Sequence, residues 1–248
     1  MNNGKNTCHS NNEPKTYLWL EDRKGKASFT FWQELMRQIA PDVVVESKKN
    51  NSELVKAVRD LTNDTNRYII MFDYSFDNLQ VYQEQKLLTK YTNKKPNVKL
   101  LYLICFEYML LEFTHLLSWI YAPNDEFWEK RKFAIKARRV LIDTIQSGDT
   151  DYKALREIIQ YDKALANHNI EQLSAKLLFD LTRNTGFAVS KKSIGQCWIT
   201  SCCDWKGREA DDLCGLDENR LTVKEKMQRV YLGTSLKTEF DRIGMEVS

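Results

Sequence analysis

Short apolar runs alternate with helical patterns from residue 15 to residue 121, and this alternation constrains the fold more than any other feature. The runs KTYLWL, DVVV, YIIMF and VKLLYLI occupy residues 15–20, 42–45, 68–72 and 98–104. Their β-branched and aromatic content indicates strands, and apolar residues at helical spacing lie between them. Strands joined by helical crossovers favour an α/β domain: a mainly parallel sheet with helices on both faces.

Carboxylates follow two of the predicted strands. Glu21 comes directly after the first run, Asp73 ends the third, and Asp77 follows in a short polar turn. The carboxyl ends of parallel strands meet at one edge of a sheet, and Mg²⁺ or Mn²⁺ prefers oxygen ligands on a rigid support. The pattern therefore predicts that Glu21, Asp73 and Asp77 bind a metal ion. The alternative is simple solvation, because acidic residues are frequent where strands end in turns.

The rest of the chain divides by composition into three further parts. Residues 1–14 are polar and predict a disordered tail that is neither a signal peptide nor an anchor. Residues 122–184 form a helical region, and residues 185–248 form a Cys- and Trp-rich lobe. This lobe ends in a helix whose first turn has the Thr222 and Glu225 spacing of a capping box.

Bulk properties limit the function classes. The formal net charge is +3, which allows an anionic partner without requiring one. No apolar run reaches the roughly 20 residues of a membrane span, so we expect a soluble cytoplasmic protein that does not bind membranes. The sequence has no glycine-rich phosphate-binding loop, which argues against a self-contained ATPase.

Basic residues cluster in two places. Arg23, Lys24 and Lys26 lie in the loop after Glu21, where they could bind phosphate, although lysine-rich loops are usually only solvated. Residues 130–139 read KRKFAIKARR. This run could bind a sugar-phosphate backbone, but the favoured interpretation is the solvated face of an amphipathic helix.

Four cysteines lie within a short C-terminal segment: Cys197, Cys202, Cys203 and Cys214. Four thiolates could form a structural zinc site. However, the C-x4-C-C-x10-C spacing lacks the C-x2-C pair typical of zinc knuckles. The alternative is a packed lobe with buried, reduced thiols.

Three blocks in order give the chain a resemblance to a known family. WLEDRKGKASF at residues 19–29 and IIMFDYSFDN at residues 69–78 resemble the metal-binding motifs of the toprim domain. LICFEYMLLEF at residues 103–113 is similar to a segment of RloB-like toprim proteins, in which a strand ends in Cys-Phe-Glu and opens a helix. The resemblance covers residues 15–121 and implies a toprim-like fold.

The resemblance also implies a function and partners. It implies a magnesium- or manganese-dependent nuclease that cleaves RNA, tRNA included, or DNA. It further implies an anti-phage defence effector like the toprim subunit of PARIS, with an ABC-type ATPase partner and a possible homo-oligomer. Glu21, Asp73, Asp77 and Glu107 would be the catalytic residues.

One departure from the family motif leaves a second function open. Ser75 stands where the toprim pattern has a second aspartate, and a neutral hydroxyl is a weaker magnesium ligand than a carboxylate. Asp77 could replace the missing ligand, or the site could hold one ion rather than two. The alternative is a catalytically inactive toprim-like module that docks to a partner ATPase.

Overall fold

A parallel four-stranded sheet forms the centre of the molecule. The computed structural model describes residues 13–74, 77–148, 168–204 and 213–247. The strands are β1 (Thr16–Leu20), β2 (Val43–Ser47), β3 (Arg67–Asp73) and β4 (Val98–Leu103). They pair in the order β2-β1-β3-β4, and every pairing is parallel. The predicted α/β class and parallel sheet are confirmed.

Helices connect the strands and fill the C-terminal half. The described residues contain α1 (Ala27–Ile39), α2 (Asn51–Asp60), α3 (Leu79–Thr92), α4 (Phe106–Glu112), α5 (Leu116–Ile120), α6 (Phe127–Ser147), α7 (Ile170–Thr182), α8 (Gln196–Ile199), α9 (Val223–Leu232) and α10 (Leu236–Ile243). Among them, no helix combines the length and the apolar character that a membrane crossing requires. The predicted helix over residues 151–166 lies outside the described residues.

The two faces of the sheet are covered by different helices. Successive side chains of a strand point to opposite faces. Leu18 and Leu20 of β1 therefore pack with α1 in one core, whereas Trp19 packs with residues of α2 and α3 in a second core. Coverage of both faces explains why the strands are almost continuously apolar.

The strand order places a topological switch point between β1 and β3. The chain runs from β1 outward to β2, then returns to the other side of β1 to form β3 and β4. The loops that leave β1 and β3 therefore diverge in opposite directions, which opens a crevice at the carboxyl ends of these two strands. Glu21 and Asp73 lie at this position.

Helix boundaries agree with the sequence pattern at some positions and differ at others. The Thr222 capping box and the left-handed Gly148 C-cap are present. The sequence pattern predicts Ser28 as the N-cap of the first helix, but α1 begins after Lys26. It also predicts Ser52 as the N-cap of the second helix, but the N-cap of α2 is Asn50, whose side chain accepts a hydrogen bond from the Glu53 N–H.

Apolar residues at helical spacing from Phe106 to Ile120 predict a single helix, but the structure has two. The helical pattern breaks after α4, because Phe113 adopts a non-helical backbone with ψ of 118°. A new helix, α5, begins after His115. The break lets Phe113 pack tilted against Trp198 and edge-on to Trp119 in the core. Tertiary packing of aromatic rings overrides the local helical periodicity here.

The described C-terminal residues share the core of the α1 face of the sheet instead of forming a separate lobe. Trp198 is fully buried and contacts Phe31 of α1 and Phe187. The sequence did not predict α10, which covers the outer edge of β4. Its Glu239 accepts a hydrogen bond from the Tyr102 N–H, and its Arg242 donates one to the Leu100 carbonyl.

Because Trp198 joins both halves, we expect Trp198→Ala to destabilise the whole described core. Removal of a buried Trp side chain costs about 3–5 kcal/mol, and the chain should still unfold in a single cooperative transition. Chemical denaturation followed by circular dichroism and fluorescence measures the free energy of unfolding and the number of transitions. Phe133→Ala is the matched control, because the Phe133 side chain is 56% exposed. Two separate transitions would contradict the shared core.

Candidate active site

An open cleft of about 1080 Å³ lies at the switch point of the sheet. Its floor is formed by residues at the ends of β1 and β3 and at the start of α4. Its walls come from the N-terminal part of α2, from α3 and from the start of α7. The lining is rich in carboxylates: Glu21, Asp22, Glu53, Asp73, Glu84, Glu107 and Glu171. The fold therefore gathers acidic residues from six separate segments of the sequence.

Glu21 and Asp73 form the centre of this cleft. Leu20, the last residue of β1, is in register with Met71. Glu21 directly follows Leu20, and Asp73 ends β3 two residues after Met71, so both lie at the same edge of the sheet. Their two carboxyl groups lie within hydrogen-bonding reach of each other. A hydrogen bond between them needs a proton on one of the two groups, because ionised carboxylates only accept. The predicted proximity of Glu21 and Asp73 is confirmed.

Burial and like charge both disfavour ionisation of this pair. The pKa of Glu21 is raised to about 8, mainly because the group is removed from water and further by the charges of Asp22, Glu171 and Glu84. The pKa of Asp73 is raised well above its usual value by burial and by the adjacent Glu21. Because both carboxyl groups resist ionisation, a bound cation would stabilise the ionised form of the pair.

Glu107 lines the same cleft from the first turn of α4. Cys105 is the N-cap of this helix, and its sulfur accepts a hydrogen bond from the Tyr108 N–H at 3.3 Å. Burial is the main cause that raises the pKa of Glu107 to about 7, whereas its own N–H and the Cys105 side chain act in the opposite direction. The predicted site residue Glu107 thus belongs to the cleft.

Three further lining carboxylates were not among the sequence candidates: Glu53, Glu84 and Glu171. From the sequence, Asp22 could contribute to the site, with a surface salt-bridge partner as the favoured interpretation; in the structure burial raises the pKa of its carboxyl group, which bonds to Ser28. Glu84 of α3 and Glu171 of α7 come from helices that the spacing alone does not bring to the sheet edge. Their helical context offered no sequence signal, because an acidic residue in a helix is ordinarily solvated.

Asp77 occupies a different position from the other predicted ligands. It is exposed and is not part of the cleft lining. Its Oδ2 atom accepts a hydrogen bond of 2.9 Å from the N–H of Ile170, the first residue of α7. This contact satisfies an N–H group at the start of a helix, where a negative charge is favourable. Ser75 lies outside the described residues.

The basic residues of the first loop separate into two groups. Arg23 and Lys26 line the cleft, whereas Lys24 is exposed and lies outside the lining. Lys49 and Lys191, which the sequence did not single out, also line the cleft. Cations therefore surround a carboxylate-rich floor.

The basic run of residues 130–139 is largely engaged in contacts within the protein. Arg131 and Arg138 turn inward and donate hydrogen bonds to main-chain carbonyls of Arg183, Leu111 and Phe113. Lys130, Lys132 and Arg139 form ion pairs with acidic residues of the same segment. These contacts favour the structural interpretation of the run over a nucleic-acid surface.

The four C-terminal cysteines meet at a second cavity of about 320 Å³. Cys197, Cys202, Cys203 and Cys214 all line it, although Cys214 is distant from the others in sequence. Within residues 13–74, 77–148, 168–204 and 213–247, no three His, Cys, Asp or Glu side chains are arranged to hold a metal ion. A zinc site at these thiols stays a prediction.

The chemistry of the cleft fits magnesium or manganese. Mg²⁺ is commonly bound by only one or two carboxylates, together with water and substrate phosphates. Glu21 and Asp73 supply such a pair, and the neighbouring Asp22, Glu84 and Glu107 offer further carboxylate oxygens. These residues suit a cation whose coordination is completed by the substrate. They do not form a closed set of protein ligands.

Comparison with known proteins gives no relative. A scan against family models, a search of curated proteins and a search of solved structures each find no match to this chain.

The raised pKa values predict a stability that falls with pH in the absence of divalent cations. Glu21 and Glu107 have pKa values of about 8 and about 7 in the folded protein, against 4.5 as the ordinary value. At these two groups the folded state therefore binds more protons than the unfolded state, so the stability that they contribute is fully present below pH 4.5 and is lost as the pH rises through 7 to 8. We expect the Tm to fall by on the order of 5 °C between pH 5.5 and 8.5.

Thermal unfolding in chelator-treated buffer checks this expectation. Glu21→Gln should flatten the pH dependence, because the amide does not titrate. Added Mg²⁺ should raise the Tm more at pH 8.5 than at pH 5.5. A Tm difference between parent and Glu21→Gln that does not change with pH would contradict the assignment.

Proposed function

We propose that this protein is a magnesium- or manganese-dependent nuclease that cleaves phosphodiester bonds of RNA or DNA. The observation that carries the proposal is the contact between Glu21 and Asp73 at the switch point of a parallel sheet. Two carboxylates on adjacent strand ends, in an open cleft with cationic residues, suit a phosphodiester substrate and its metal ion. The toprim resemblance of the three sequence blocks points to the same chemistry.

Each part of the cleft has a distinct task under this proposal. Glu21 and Asp73 would hold the ion, which supplies charge neutralisation at the phosphate oxygens when it is bound. Glu107 has a pKa of about 7, near the pH at which a carboxylate accepts a proton from an attacking water most effectively. The pKa of Glu107 would let it act as the general base.

The cationic residues would hold the substrate backbone. A phosphodiester that approaches Glu21 and Asp73 meets negative charge, so binding requires cations to offset it. Arg23 and Lys26 line the side of the cleft next to Glu21, and Lys191 reduces the pKa of Asp22 and of Glu171 by its charge. The choice between RNA and DNA, the ABC-type ATPase partner, self-association and the role in anti-phage defence rest on the resemblance alone.

A catalytically inactive docking module is the second candidate. The observation in its favour is that Asp77 bonds to the start of α7, while no three-residue metal group is present in the described part of the chain. Such a module would keep the fold but would not bind the metal ion. Calorimetric titration with Mg²⁺ separates the two functions, because an inactive module should show no saturable binding that depends on Asp73.

Isosteric neutralisation of the central pair should abolish cleavage. Glu21→Gln and Asp73→Asn each remove one anionic ligand without changing side-chain shape. We expect a fall in rate on the order of 100- to 1000-fold on labelled single- and double-stranded substrates with Mg²⁺ or Mn²⁺. Asp143→Asn on the exposed part of α6 is the control and should cleave like the parent.

Two outcomes would decide against the proposal. Parent-like cleavage by Glu21→Gln and Asp73→Asn would show that these two residues are not the active site. The absence of cleavage by the parent on every substrate would favour the inactive module. Asp77→Asn is informative beside them. Its amide oxygen can still accept from the Ile170 N–H, so the observed contact predicts retained cleavage, whereas a metal-ligand role predicts its loss.

Substrate binding should depend on Lys26 and not on Lys24. Both residues lie in one loop, but only Lys26 lines the cleft. In the Asp73→Asn background, fluorescence anisotropy with a labelled oligonucleotide gives affinity as a function of salt. We expect Lys26→Gln to lower the magnitude of the logarithmic salt slope by about 0.7–0.9, the loss of one phosphate contact. Equal changes of the salt slope in Lys24→Gln and Lys26→Gln would contradict the inference that only Lys26 contacts the substrate from the cleft.

A further inference from the structure

Two exposed tyrosines contact each other at the carboxyl edge of the sheet. Tyr74 directly follows Asp73, the last residue of β3, and Tyr102 belongs to β4. Their rings meet edge to face, with centroids 5.5 Å apart. Tyr74 is nevertheless 43% exposed and Tyr102 is 45% exposed. This edge of the sheet thus presents a pair of aromatic rings to solvent.

Hydrogen bonds hold the backbone of both tyrosines. The Tyr74 N–H donates a bond of 2.8 Å to the Leu103 carbonyl, which continues the pairing of β3 with β4 beyond the end of β3. The Tyr102 N–H donates a bond of 2.7 Å to Glu239 of α10. Side chains whose positions are fixed before a ligand arrives lose less conformational entropy when they bind it.

A guanidinium group lies over one of the two rings. Cζ of Arg242 is 4.3 Å from the centroid of the Tyr102 ring. Glu239 and the Leu100 carbonyl accept hydrogen bonds from the same guanidinium, so contacts within the protein set its position. Aromatic rings together with an arginine plane are the groups on which unpaired nucleobases stack.

The place of the rings beside the cleft favours a nucleotide as their ligand. Consecutive Cα atoms are about 3.8 Å apart, so Tyr74 stands next to Asp73, where the proposed metal ion binds. A polynucleotide whose scissile phosphate lies at Glu21 and Asp73 therefore brings a neighbouring nucleotide near Tyr74. A protein partner is a poorer match, because its interface buries about 800 Å² on each side, whereas two rings match one or two bases.

The strandedness of the ligand follows from the same geometry. In a duplex, each base is stacked between its neighbours and its two faces are hidden. Only an unpaired base offers a face to a protein ring.

We propose that Tyr74 and Tyr102, together with Arg242, form a stacking subsite for an unpaired base next to the scissile phosphate. This inference rests on the proposed function and deepens it, because it assigns single-stranded nucleic acid as the preferred substrate. None of these three residues is among the described residues that line the carboxylate cleft. The subsite is therefore distinct from the cations that would contact the phosphates.

Binding of a labelled oligonucleotide in the presence of EDTA tests the subsite without cleavage. The probe is a fluorescein-labelled single strand of mixed sequence, followed by anisotropy, and the same strand annealed to its complement is the duplex probe. We expect Tyr74→Leu and Tyr102→Leu each to weaken single-strand binding about 5- to 150-fold, the effect of losing one stacked base. Tyr74→Phe and Tyr102→Phe keep the ring and should bind within about twofold of the parent.

A spectroscopic readout and a control variant separate stacking from a loss of fold. A 2-aminopurine base in the single strand loses fluorescence when it stacks on a ring, and this loss should persist in the Phe variants and disappear in the Leu variants. Phe133→Leu is the matched control, since Phe133 is an exposed ring on α6 with Nζ of Lys132 5.9 Å from its centroid. It should bind like the parent. Circular dichroism and thermal unfolding establish that each variant is folded.

The outcomes separate this subsite from the proposed function. Parent-like single-strand binding in the Leu variants overturns the subsite, as does equal weakening of single-strand and duplex binding. Phe variants that bind as weakly as the Leu variants also overturn it, because the ring would then not be the cause. In each of these cases, cleavage that depends on Asp73 leaves the proposed function standing. Ring-dependent binding without any cleavage in Mg²⁺ or Mn²⁺ supports the subsite and removes the nuclease.

Discussion

A carboxylate that leaves water loses more free energy than an ordinary hydrogen bond returns, and this constraint governs the sheet edge where Glu21 meets Asp73. The parallel pairing of β1 with β3 brings the carboxyl ends of the two strands to one edge of the sheet, where Glu21 follows β1 and Asp73 ends β3. The negative charge of this pair must be met by a proton or by a cation.

The surrounding charges follow from the same constraint. Each added carboxylate, such as Asp22 or Glu171, makes ionisation of Glu21 harder. A protein that only needed stability would have little use for such a cluster, because like charges at close range oppose folding. Their concentration at the switch point of the sheet, where α/β proteins bind ligands, is typical of a binding site that trades stability for affinity.

The sequence predicted the sheet well and the site in part. Alternating patterns located β1 to β4, and strand ends identified Glu21 and Asp73, because both depend on local order along the chain. Glu84 and Glu171 could not be found this way, since their position depends on how helices pack over the sheet. The break at Phe113 was missed for a related reason: the aromatic core, not helical periodicity, decides the backbone there.

Capping explains the remaining differences between pattern and structure. Thr222 was recognised because its partner Glu225 stands at a fixed spacing, whereas Asn50 and Ser52 are both suitable N-caps and only tertiary packing chooses between them.

The contact of Asp77 with α7 has a consequence for how such a site could arise or be transferred. The loop after β3 holds the first residue of α7, and the next residue, Glu171, completes the cleft. A wall of the site is thus built from chain almost a hundred positions beyond the strand that it serves. The α/β unit is consequently not a portable module: grafting it elsewhere would carry the strand ends but leave the cleft open on one side.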